Sequence, residues 1–477
     1  MNPAPTRITA LAVPDDRRSR SATWGLASLA LATASGSLGT SIVNVALPQL
    51  ARQFDAPFAA AQWIVSAYLL AGTATIVIAG RLGDLFGSRR LLLVGLATFA
   101  LASVAAAAAP NLALLVAARA VQGAAAAVLT ALSLALARAA VSKARSGAAM
   151  GLIGTMSAVG TALGPSLGGA LLESWGWRVV FLANVPLTLA ALAGGARFLE
   201  RDSRREAGAG LERLDLRGAV LLAIALASIA LSTTLPRLAP GPWAALSLLA
   251  ALAAAVAFVL AERRSAVPLV PLALLRTNGL WRALLSNGVV SAVVMATMVV
   301  GPFHLVRGLG LDPSATGLVM AIGPLVSALV GFPAGKWVDS VGSRRVSSFG
   351  LTGLALGASL LAWLGSSGSA VAYAAPLALL TAGYALFQAA NNTAVMADVA
   401  AERRGTVSGL LSLSRNLGLL LGTTALGSVF AAACGTGDVS SATPAAVVEA
   451  MRVTFGICAL LVAIPFVLAR TVRGERA

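Results

Sequence analysis

Two arginines, Arg119 in LVAARAVQGAAAA and Arg415 in LSLSRNLG, lie inside long apolar runs. A guanidinium at bilayer depth costs roughly 3 kcal/mol or more, so each must face a cavity, a partner or the membrane edge. For Arg119, with Gln122 and Gly123 next along the run, the choice is a functional charge or a side chain that snorkels outward. For Arg415 it is a substrate or coupling role, or an internal ion pair. The other polar groups placed in apolar runs are Asn44, Gln62, Tyr68, His304, Gln388, Asn391, Asn392 and Asn416. Adjacent Asn391 and Asn392 stand about 100° apart around a helix, so one can face a cavity while the other bonds a neighbouring helix. Helix–helix glue is the plainer alternative for both. His304 offers a group that exchanges protons near neutral pH, or simply a lone histidine near a membrane interface.

These residues can bind and pass a solute; they cannot easily break bonds. The chain holds one His and two Cys, Cys434 and Cys458, and no Asp or Glu in the middle of an apolar run. We expect no metal, no disulfide framework, no cofactor and no enzymatic site. No G-x-x-x-x-G-K-[ST] string occurs, so this chain does not use ATP through a P-loop.

The elements that must position these groups follow from composition. Of 477 residues, 58% are hydrophobic and 11% charged, with mean hydropathy +0.86. A soluble domain carries roughly 25% charged residues, so this is the balance of a polytopic membrane protein. The runs predict fourteen spans, at 24–47, 61–80, 91–109, 112–139, 147–172, 178–198, 216–235, 242–261, 281–305, 315–335, 346–364, 370–396, 405–432 and 448–469. The first run exceeds a signal-peptide core and reads as a retained helix. With the N-terminus inside, most Lys and Arg fall in interior segments, and only Arg52, Arg178, Arg237 and Arg307 fall outside. That places both termini in the cytoplasm and explains the net charge of +17 without a nucleic-acid partner.

The chain repeats itself. GRLGDLFGSRR, with Gly80, Arg81, Asp84, Gly87, Arg89 and Arg90, returns as GKWVDSVGSRR, with Gly335, Lys336, Asp339, Gly342, Arg344 and Arg345. Gly147, Gly151, Gly160 and Gly164 match Gly405, Gly409, Gly418 and Gly422. Two related six-helix halves, 24–199 and 280–470, therefore flank a segment 200–279 that holds a loop and two inserted helices, with tails at 1–23 and 471–477. Parallel halves of this kind place a solute site near the midplane between them.

The hinge, the preceding QWIVSAYLL, the string GTALGPSLGG with Gly160, Gly164, Pro165, Gly168 and Gly169, and WGWRVVFLANVPL together resemble the major facilitator superfamily. Within it, they resemble the fourteen-helix drug:proton antiporters, over nearly the whole chain. The resemblance implies an all-α membrane fold and proton-coupled efflux of small amphipathic compounds by alternating access, with uptake of a neutral or anionic metabolite as the alternative. It implies a cytoplasmic gate at the two hinges, a proton link at Arg119, and an exporter's helix at GTALGPSLGG. In that helix the small residues permit close packing and Pro165 permits a bend. The expected setting is a bacterial inner membrane, with small-molecule substrate, protons and lipid as partners and a monomer as the working unit. The departure is LGTSIVNVALP, where Gly39 stands at a position usually occupied by Asp. The embedded charges are thus positive, which favours a neutral or anionic substrate over a dication.

Overall fold

A computed structural model describes residues 16–140, 146–200, 202, 216–238, 242–265, 274–275, 279–364, 369–397, 399, 404–435, 439 and 442–471. Those residues are helical with short connections. This is the outcome apolar sequence dictates in lipid, where backbone N–H and C=O groups must be satisfied within the segment. Side-chain caps start several helices: Asn111 accepts from Leu114 N at 3.0 Å, Asp312 from Ala315 N at 2.7 Å and Thr443 from Ala446 N at 3.3 Å.

The first half comprises α1 (Asp16–Ser41), a 3-10 turn (Asn44–Ala46), α2 (Leu47–Gln53), α3 (Phe58–Ala61), α4 (Trp63–Phe86), α5 (Ser88–Ala107), α6 (Leu112–Ala139), α7 (Ser146–Trp175), α8 (Trp177–Leu182) and α9 (Asn184–Phe198). The insertion is α10 (Leu216–Leu238) and α11 (Pro242–Arg264). The second half comprises α12 (Leu280–Phe303), a π segment (His304–Gly308), α13 (Pro313–Val341), α14 (Ser343–Leu364) and α15 (Ala370–Ala397). It continues with α16 (Arg404–Leu421), a second π segment (Gly422–Leu426), α17 (Gly427–Ala433), α18 (Pro444–Leu461) and α19 (Ala463–Thr471).

Fourteen spans are expected from sequence; among the described residues twelve helices are long and apolar enough to cross a membrane. Helix α7 is not among these twelve, and of α10 the stretch described in full is Val220–Ser232.

The halves are built alike. In the first, α1 packs on α7, and α6 packs on α4 and α5; in the second, α12 packs on α16, and α15 packs on α13 and α14. Matched glycines make the matched crossings. A Cβ at Gly160 would lie 2.5 Å from the Ala34 carbonyl, and one at Gly418 would collide with the Gly288 carbonyl. At each hinge the chain turns from one helix into the next through a left-handed glycine, Gly87 at φ 90° and Gly342 at φ 94°, which a side chain would strain.

Call the end carrying Gly87 and Gly342 the hinge end, and the opposite one the far end. The halves meet at the far end. Phe58 of α3 is wedged between Phe303 and Phe430 of the second half, with ring centroids 4.7 and 5.7 Å away. Close to the far end, α7 crosses α13: a Cβ at Gly169 would collide with the Pro313 carbonyl, and one at Gly317 with the Pro165 carbonyl. The insertion lies against one seam. α10 packs along α4 and touches both α3 and the π segment Gly422–Leu426, while α11 packs on α10.

Candidate functional site

The predicted polar residues fall into separate places. Arg119 is 1% exposed and lies inside the first half. Its Nε donates to the Ile64 carbonyl at 3.0 Å, and Nη1 donates to the Gly39 carbonyl at 3.0 Å and to Gln122 Oε1 at 2.6 Å. Its guanidinium stands 4.2 Å from the ring centroid of Tyr68. Gln122 passes the network on, donating to Ser103 Oγ at 2.7 Å, which donates to the Phe99 carbonyl at 2.7 Å. Tyr68 Oη donates to the Gly36 carbonyl at 2.7 Å. This cluster ties α6 to α1, α4 and α5; only Arg119 Nη2 lacks a partner among the described residues. Gly39 is part of it, and a Cβ there would lie 2.8 Å from Phe99 Cζ and 3.4 Å from Tyr68 Oη. Neither membrane-edge snorkelling nor an ion pair describes Arg119: it is a buried cation held mainly by carbonyl oxygens and an aromatic face.

Arg415 has the opposite setting. It is exposed, and no hydrogen bond or ion pair engages it among the described residues. The adjoining side of α16 is fixed to α12, where Ser414 Oγ donates to the Leu284 carbonyl and Asn287 Nδ2 donates to the Leu411 carbonyl at 2.9 Å. A different azimuth of the same helix line faces the first half, because the Thr423 carbonyl accepts from Gln62 Nε2 at 2.7 Å. At 100° per residue, Asn416, Ser412 and Ser408 follow that azimuth toward the hinge end, with Arg415 beside them. This arc is polar and exposed or half-buried, and it lies between the sides of α16 that meet α12 and the first half.

The remaining candidates are dispersed. Asn44 is buried in the 3-10 turn at the far end, donating to the Thr40 carbonyl at 3.4 Å, and its turn touches α12 and α13. On α15, Gln388 Nε2 donates to Tyr384 Oη at 3.0 Å, Asn391 is buried and Asn392 exposed. His304 is fully buried in the second half, stacked on Tyr373 with centroids 5.7 Å apart, and neither ring nitrogen has a partner among the described residues. Among the described residues no group of His, Cys, Asp and Glu could hold a metal ion.

At the hinges, Lys336, Asp339, Arg344 and Arg345 are exposed, and Gly80 and Gly335 have open space where a Cβ would be. The side chains of Arg81 and Asp84 lie outside the described residues. Arg89 reaches within its own half, its Nη2 donating to the Ala196 carbonyl at 2.5 Å. Asp202, which sequence reasoning did not single out, caps α5: its carboxylate accepts from Arg89 N at 3.1 Å and Arg90 N at 3.0 Å. An acidic residue just past the end of α9 was the available signal. Gly160, Gly164 and Gly168 line the α1 contact, whereas Gly169 and Pro165 face α13 of the other half.

Comparison with known proteins agrees with this architecture. A family profile described as the Major Facilitator Superfamily matches residues 29–423 and 283–476. The Multidrug resistance protein Stp of Mycobacterium tuberculosis is 34% identical over 399 residues, covering 82% of this chain and 72% of that protein. The Riboflavin transporter RibZ of Clostridioides difficile is 28% identical over 397 residues, covering 83% and 85%. A crystal structure of a bacterial homologue of the human lysosomal transporter Spinster, inward-facing and unoccupied, superposes with a TM-score of 0.70 at 16% identity, covering 96% of this chain and 98% of the other. The paired halves, the repeated hinge and these matches establish that the chain belongs to the major facilitator superfamily and is a multi-pass membrane transporter of small molecules.

Proposed function

We propose that this protein is a secondary active exporter that moves small amphipathic compounds out of a bacterial cell by alternating access, driven by protons. The observation that carries the reading is the far-end closure by Phe58, Gln62 and the Gly169–Gly317 crossing, over a cleft walled by the polar face of α16. The arginine distribution supports a cytoplasmic setting for both termini and the hinge end, in a bacterial inner membrane. The state described is then closed outside. The hinges serve as the cytoplasmic gate, closing when the halves rock the other way, and one chain is the working unit. The similarity to Stp supports drug-like cargo.

The test is transport into inverted vesicles of cationic, neutral and anionic probes, with and without an imposed proton gradient. Uphill accumulation that collapses with the gradient is expected; gradient-independent equilibration would sink proton coupling. A second reading, uptake of a neutral or anionic metabolite, is favoured by the absence of any Asp or Glu from the middle of a span. Accumulation in right-side-out vesicles but not in inverted ones would establish it instead.

A further inference from the structure

The two embedded arginines differ in what their donors do. Those of Arg119 are largely consumed inside the first half. Those of Arg415 are unclaimed among the described residues, on an exposed face of α16 between its contacts with α12 and with α4 of the first half. The repeat sharpens the contrast. In the first half, Ser157 of α7 hydrogen-bonds Ser37 of α1 at 2.7 Å between hydroxyl oxygens. The glycine crossings equate Ser157 with Arg415 and Ser37 with Ser291. Ser291 Oγ is buried and has no hydrogen-bond partner among the described residues. At these matched positions the hydroxyl–hydroxyl clasp of the first half has no counterpart among the described residues, and its place on α16 is taken by an exposed cation. No described carboxylate neutralises it, and no Asp or Glu occurs at comparable depth in any predicted span. A mid-span guanidinium without the carbonyl and aromatic partners that hold Arg119 needs an aqueous or anionic neighbour, and its fork of donors matches a carboxylate or sulfonate.

We propose that Arg415 is the anion-receiving group of the cargo site and that the cargo is an amphipathic organic anion. Asn416 and Ser412 supply neutral hydrogen bonds beside it. This rests on the transporter reading above and names the class of solute for the cleft.

The test uses the full-length purified protein and three probes sharing one dansyl fluorophore: dansylglycine (anionic), dansylglycinamide (neutral) and dansylcadaverine (cationic). Binding in detergent is read by fluorescence titration. Wild type should bind dansylglycine most tightly. Arg415→Gln should weaken dansylglycine by about tenfold or more while leaving dansylglycinamide within about twofold. Arg415→Lys should retain most of the preference. Ser412→Glu, which sets a carboxylate one helical turn away, should abolish the preference in a chain that keeps its arginine. No preference for dansylglycine in wild type, or an equal loss of all three probes in Arg415→Gln, would overturn the proposal. Transport of the same probes in proteoliposomes is read separately. Intact, Arg415-dependent binding without movement of any probe would count against the exporter reading and leave the anion site standing.

Discussion

At the scale of single residues, Arg119 is buried with Nε and Nη1 hydrogen-bonded inside the first half, whereas Arg415 is exposed, which is why we propose the recognition role for Arg415 alone. Removing Arg119 takes one donor away from each of the Gly39 and Ile64 carbonyls and from the amide oxygen of Gln122, a net loss of about 1 kcal/mol per hydrogen bond. Arg119→Ala should therefore lower thermal stability in detergent by several degrees; unchanged melting with lost transport would restore a direct coupling role. Gly39→Asp would place an acid beside a guanidinium, but the side chain meets Phe99 first. The single variant should be destabilised and Gly39→Asp with Phe99→Leu should recover, as measured by melting. Sequence alone identified both arginines as embedded charges. It could not say which face of its helix each occupies, because apolar runs in membrane helices carry no strong one-sided pattern. Nor could it show that Phe99 fills the space in front of Gly39, a contact between residues sixty positions apart.

At the scale of elements, the line from α16 through the π segment to α17 explains how one side chain spans the seam. In a continuous α-helix the Thr423 carbonyl would accept from the Gly427 amide. Here Gly427 N donates to the Gly422 and Thr424 carbonyls, and Gln62 Nε2 serves Thr423 from the other half. A side chain inserted into the ladder is a recognised cause of such a break. A Cβ at Gly427 would collide with the Gln62 amide. Gly427→Ala should expel Gln62 and favour opening at the far end, raising the reactivity of a cysteine placed at Phe58 toward a membrane-impermeant maleimide; unchanged labelling would argue against a gate there. Asp202→Ala should cost about 1 kcal/mol through the lost cap on α5, seen as a lower melting temperature. The hinge glycines and the repeat were legible in the sequence because they recur as strings. The Gln62–Thr423 bond was not, since it joins residues 361 positions apart through a backbone carbonyl that has no sequence signature.

At the scale of the whole molecule, the far end holds the halves together through close approach of backbones at Gly169 and Gly317, where packing has no slack. Gly169→Leu or Gly317→Leu should hold that end apart and reduce vesicle transport to near background with expression intact. Normal transport by both would show that this crossing does not need to form. The matched strings of the two halves recur in the sequence, but where α10 and α11 would lie was not readable from it, since nothing in an apolar hairpin says which flank it will cover. α10 lies on α4 while touching α3 and the π segment of the other half. The two lateral slits of the transporter are therefore unequal: that between α4 and α16 is screened from acyl chains at its far end by a built-in splint, while among the described residues no added helix screens that between α7 and α13. A solute dissolved in the bilayer meets one shuttered side and one bare one, so the insertion gives a pseudo-symmetric protein a front and a back within the plane of the membrane.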